Sequence, residues 1–129
     1  MQQKHFITEY KKVQGLGTAH DGVGHWWQQR VSAVALVVLT PFFLFPFAHA
    51  LGAGHAAMQA TYASWWNATI AALFVITALW HLRLGLQVVI EDYVHSKPMR
   101  TGLLLANTLI TTAMTFAAVF SIAKIYFSA

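Results

Sequence analysis

The sequence has no cysteine and little charge. Without a thiol there is no disulfide scaffold, no thiolate zinc site, no cysteine-held iron–sulfur cluster and no cysteine nucleophile. Charged side chains make up 9% of 129 residues, where a soluble domain carries about a quarter. That is too little to coat a globule of this size, and a soluble globular fold is excluded. Bases outnumber acids, 8 Lys and Arg against 4 Asp and Glu. They are scattered at the borders of apolar runs instead of gathered in a patch, so nucleic acid is not an expected partner. What fills the chain is apolar: 57% of residues are hydrophobic, and the 52 positions from Val31 to Leu82 hold no Lys, Arg, Asp or Glu. Runs of that length belong in lipid.

Crossing about 30 Å of hydrocarbon takes about 20 apolar residues at 1.5 Å each. Three segments qualify, roughly 31–51, 66–90 and 103–126. The first contains Pro41 and Pro46, which a membrane helix tolerates and which are expected to kink it. Ala48-His49-Ala50 resembles a signal-cleavage site. The run before it exceeds a signal core of about 7–15 residues, so an uncleaved span is expected. From Gly52 to Asn67 the chain reads as a short loop with Trp65 and Trp66 at headgroup level, and Glu91 to Thr101, with Pro98, as the second turn.

The expected fold is an all-α membrane protein with three transmembrane helices, in a single domain over residues 1–129. Residues 1–30 form an N-terminal segment in which Phe6, Ile7, Tyr10 and Val13 suit a short amphipathic stretch, while Gly15, Gly17, Gly22 and Gly24 oppose a longer helix. Lys4, Lys11, Lys12 and Arg30 precede the first span and Lys97 and Arg100 sit in the second turn, against Lys124 alone near the C-terminus. Positive charge is retained on the inner side, which places the N-terminus in the cytoplasm and the C-terminus in the periplasm.

Ionisable groups inside a bilayer cost about 2.5–3.5 kcal/mol at a helix centre, so each needs a reason. The second span holds nearly all of them. At 100° per residue His81, Gly85, Val88, Asp92 and His95 fall within about 40° of one line. That face carries a deep imidazole, a glycine one turn on that admits a bulky flat group, and polar groups at one end. Two readings of His81 stand open: an axial haem ligand, or a histidine that bonds a neighbouring helix. No other intramembrane histidine is placed to complete a bis-histidine pair, so if haem binds, its second ligand must come from a partner. Tyr93 likewise reads as an aromatic-belt residue or as a donor to a quinone carbonyl, with Asp92 or His95 relaying protons. Arg83, about 200° around from His81, either pairs toward Glu91 or snorkels to the cytoplasmic side. The histidines His5, His20, His25, His49 and His55 read as loop, interface or surface residues.

The run from His81 through Gly85, Gln87, Glu91, Asp92 and Tyr93 to His95 resembles the haem and quinone segment of the small hydrophobic membrane anchors of succinate dehydrogenase, respiratory complex II. The stretch Trp26-Trp27-Gln28-Gln29-Arg30-Val31-Ser32-Ala33 resembles the start of that family's first helix, and the Glu91-to-His95 version is most similar to alphaproteobacterial members. The resemblance covers essentially the whole chain. It implies an anchor in a bacterial inner membrane that packs into a helical bundle with a larger cytochrome b556 anchor. It also implies an iron–sulfur subunit and a flavoprotein subunit that oxidises succinate. By position, His81 would ligate haem b, Arg30 would lie near its propionates, Tyr93 would hydrogen-bond ubiquinone and Asp92 would adjoin that site. Two rivals are a cofactor-free structural anchor, which has no use for the His81–Gly85 face, and a small multidrug-type transporter, which needs a carboxylate near the bilayer centre.

Overall fold

The computed structural model of the chain describes Tyr10 and residues 22–128. The amphipathic stretch of Phe6, Ile7 and Val13, the lysines Lys4, Lys11 and Lys12, and His5, His20, Gly15 and Gly17 lie outside the described residues. Over residues 22–128 the described helices run in order α1 Gly22–Leu51, α2 His55–Tyr62, α3 Trp65–Tyr93 and α4 Lys97–Ser128. The three long ones are each long and apolar enough to cross a membrane. This is an all-helical, multi-pass membrane protein.

Each span outruns its apolar core. α1 starts at Gly22, well before Arg30, and runs on through Pro41 and Pro46 and past Ala48-His49-Ala50 to Leu51. A glycine costs only about 1 kcal/mol in a helix, which Gly22 and Gly24 impose at the first turn without stopping a helix of 30 residues. α4 starts at Lys97 with Pro98 in its first turn, where the missing N–H has no partner to lose. The segment expected to be a loop holds α2, eight residues rich in alanine, the best helix former. Gly54, at φ 90°, makes the turn into it, a conformation that only glycine adopts at little cost.

α3 is the middle element. It packs against both α1 and α4, which do not pack on each other, and α2 touches all three at one end. Phe43 of α1 stacks on Phe74 of α3 with centroids 4.4 Å apart, and Asn107 Nδ2 of α4 donates to the Arg83 carbonyl of α3 at 3.0 Å. At the α2 end, Asn67 Nδ2 donates to the Thr61 carbonyl at 2.9 Å, and Tyr62 is buried. Burial pushes the Tyr62 phenol up, which keeps it a neutral hydroxyl. The buried core is small: Ala50, Ala68, Ile70, Ala71 and Leu84 are its aliphatic members. Large apolar side chains such as Phe116 and Phe120, each 73% exposed, and Phe127, 83% exposed, point away from it. In a soluble protein such surfaces aggregate; here they meet acyl chains or the helices of other subunits.

Candidate functional site

His81 lies 12 residues before the Tyr93 end of α3, about 18 Å along the axis and inside the hydrocarbon. An imidazole there needs both nitrogens satisfied, and α1 satisfies them. Ser32 Oγ lies 2.9 Å from Nδ1, and Gln29 Nε2 lies 3.2 Å from Nε2. The Ser32 hydroxyl also reaches the Gln29 main-chain carbonyl oxygen, at 3.1 Å, and can give its single hydrogen there. In that arrangement the Ser32 oxygen accepts from His81 Nδ1–H, and His81 Nε2 keeps its lone pair and accepts from the Gln29 amide. This is the tautomer of a metal-ligating histidine, with Nδ1–H held by a second group and Nε2 unprotonated.

Beside this network opens a cleft of about 900 Å³ between α1 and α3, bordered by His25, Trp26, Gln29, Arg30, Gly85 and Val88. Its size is at the upper end for a small-molecule or cofactor site. Gln29 stands between the imidazole and the cleft, and its amide oxygen is buried without a partner among the described residues. His25 Nε2, one turn earlier on the same helix, is likewise buried with no partner among the described residues. Arg30 extends over the Trp26 ring, 5.6 Å from its centroid, and holds a positive charge at the rim. A Cβ placed on Gly85 would meet only Gln29 Nε2, at 3.6 Å. The glycine thus leaves the cleft floor open. Among the described residues no three His, Asp or Glu side chains converge on a point. A bare ion would find one protein ligand here, whereas a metal held chiefly by its own macrocycle needs only Nε2, once Gln29 releases it, an adjoining cleft and a cation for its carboxylates. The residues present fit a haem.

The expected helical stripe is only partly realised. His81, Gly85 and Val88 face α1 and the cleft. Asp92 and Tyr93 are exposed in the last turn of α3, Tyr93 by 78%. His95 is off the stripe, because α3 ends at Tyr93 and Val94 turns extended at φ −101°, ψ 102°. Glu91 does not pair with Arg83; it accepts a hydrogen bond from Gln87 Nε2 at 2.9 Å. Eight residues, about 12 Å of helix, separate Glu91 from Arg83. Arg83 does not snorkel either: its guanidinium folds back over the Trp80 ring, 5.5 Å from the centroid, following the tilt of helical side chains toward the N-terminus. His49 and His55 are exposed, as expected, whereas His25 is a half-buried cleft residue. Gln29, Ser32 and His25 are the site residues that the sequence did not single out. The available signal was their polarity at i, i+3 and i−4 along one face of a span.

A family described as the succinate dehydrogenase/fumarate reductase transmembrane subunit matches residues 5–122. The succinate dehydrogenase hydrophobic membrane anchor subunit of Paracoccus denitrificans is 36% identical over 119 residues, 92% of each chain. The anchor subunit of Rickettsia bellii is 31% identical over 106 residues, 78% of this chain and 81% of that one. The membrane anchor subunit of Reclinomonas americana is 32% identical over 82 residues, 61% and 68% of the two chains. No solved structure matches the chain significantly. With three spans in place and a family match over nearly its whole length, the chain belongs to the succinate dehydrogenase/fumarate reductase transmembrane subunits.

Proposed function

We propose that this chain is the small membrane anchor of a bacterial inner-membrane succinate:ubiquinone oxidoreductase, supplying one axial ligand to a haem b and one hydrogen-bond donor to ubiquinone. The observation that carries the reading is the Ser32–His81–Gln29 network beside an open cleft in a family member. Ser32 holds the imidazole in the tautomer that leaves Nε2 its lone pair. Gln29 caps Nε2 and has to leave it for iron to bind there. Arg30 at the cleft rim offers a guanidinium to propionates, and Gly85 leaves room for a porphyrin edge. Bound there, haem b supplies a one-electron redox centre in the low-dielectric part of the anchor. Its second ligand is assigned to the cytochrome b556 partner.

Quinone chemistry belongs to the other end of α3. Ubiquinone accepts two electrons, delivered from the succinate-oxidising flavoprotein through the iron–sulfur subunit, and two protons to become quinol. Tyr93 donates its phenolic hydrogen bond to a quinone carbonyl, and the exposed Asp92 beside it passes protons in from water. Their exposure in the isolated chain suits a site whose other walls are partner subunits. The Lys97–Arg100 end of α4 then lies on the cytoplasmic side, next to the iron–sulfur protein. A multidrug-type transporter fits poorly, since Glu91 and Asp92, the carboxylates of α3, are both exposed in its last turn. The anchor role is tested by affinity-tagging this chain in its own membrane. Succinate oxidation by a soluble dye should co-purify with the tag after mild solubilisation, and a tagged chain recovered without it would end the proposal.

A further inference from the structure

Arg83 is the one cation within the apolar length of α3, and it has no use in the scheme above. Among the described residues its guanidinium meets only the Trp80 ring, with no hydrogen bond and no carboxylate. A guanidinium has five N–H donors, and inside a bilayer leaving them bare is costly, so such a residue marks a site. Arg83 stands at one end of an open groove between α3 and α4, about 230 Å³ in volume, lined by Ile76, Leu79, Trp80, Thr115 and Phe116. The groove shares no residue with the haem cleft. From Arg83 it runs toward Ile76, seven residues or about 10 Å back along α3.

We propose that this groove holds one anionic phospholipid of the leaflet nearer Tyr93, with its phosphate on Arg83 and an acyl chain lying along the groove toward Ile76 and Phe116. Charge and depth argue for this occupant. α3 has 29 residues, about 44 Å, which matches the bilayer thickness with headgroups included. Arg83, ten residues from Tyr93, lies about 15 Å from that end, and a basic pocket between helices in the same half of the membrane is a headgroup site. Phosphate accepts the guanidinium fork in two parallel bonds. The side chain that now rests on Trp80 needs only to turn upward to reach it, and Trp80 then stacks on its stem. Two of the three groove threonines give their hydrogens to α4 carbonyls, Thr111 Oγ1 to Asn107 and Thr115 Oγ1 to Thr111, each one turn back, and the third, Thr112, offers Arg83 only a neutral hydroxyl where phosphate offers a charge.

Native mass spectrometry of the purified, delipidated complex, titrated with phosphatidylglycerol or with phosphatidylcholine, tests the site. The parent should retain one phosphatidylglycerol per copy of this chain, in preference to phosphatidylcholine. Arg83→Gln should lower that occupancy at least tenfold, while Arg83→Lys should keep most of it. Thr115→Leu, which fills the groove and leaves the cation, should also lower it, and covers the case in which Arg83→Gln fails to assemble. Equal retention of the two lipids by the parent, or equal phosphatidylglycerol occupancy in parent and Arg83→Gln, would overturn the proposal. So would loss of a partner subunit from Arg83→Gln with an unchanged lipid count, which would place a partner's carboxylate in the groove instead.

Discussion

A leucine at position 85 will strip the assembled complex of its haem, whereas an alanine there will be nearly silent. The Gly85 Cβ direction leads to the edge of the α1–α3 cleft, with one neighbour, Gln29 Nε2, at 3.6 Å. That is an ordinary van der Waals distance, so a methyl group fits without movement. The three further carbons of leucine have nowhere to go but into the cleft. Overpacking of that kind costs about 1–3 kcal/mol, roughly a five- to 150-fold loss of affinity for whatever lies against the helix. Pyridine haemochrome assay per purified complex should give near-parental haem for Gly85→Ala and less than about a tenth of it for Gly85→Leu. Full haem in the leucine variant would mean that the cofactor docks elsewhere.

The second large effect concerns electrons at the end of the chain of carriers. Tyr93→Phe should leave succinate oxidation by a soluble dye unchanged and slow ubiquinone reduction about five- to tenfold, the worth of one hydrogen bond of about 1–1.4 kcal/mol to the reacting carbonyl. Tyr93 is 78% exposed in the isolated chain, so removing its hydroxyl has little to do with folding, and surface changes of this size stay within about 0.5 kcal/mol of stability. Parallel dye and quinone assays on one preparation separate the two. Equal quinone rates in variant and parent would return Tyr93 to the aromatic belt.

The three long helices were legible because hydrocarbon demands one thing, some twenty apolar residues, and local composition reports it. α2 was not legible: eight residues carry too little period to be told from a loop, and its burial of Tyr62 depends on three other helices being present. The start of α1 at Gly22 was missed because the membrane boundary at Arg30 is not a helix boundary; a backbone already hydrogen-bonded in lipid continues through the headgroups. Within the site, His81 and Gly85 stood out by their improbability in an apolar run. Ser32 and Gln29 did not, since they are ordinary polar residues near a helix start. They reach His81 across 49 and 52 residues of sequence, and only the packing of α1 on α3 gives them a role. Arg83 on Trp80 could have been anticipated from side-chain direction alone, because long helical side chains lean toward the preceding turn.

The account rests on His81 Nε2 being a lone pair kept ready for iron. Its most direct test is the dithionite-reduced optical spectrum and haem count of the intact complex carrying His81→Leu, a substitution that keeps bulk and removes both nitrogens. The predicted result is loss of the low-spin b-type bands together with haem below about a tenth of the parental amount. An assembled His81→Leu complex with parental bands and one haem per complex would contradict it.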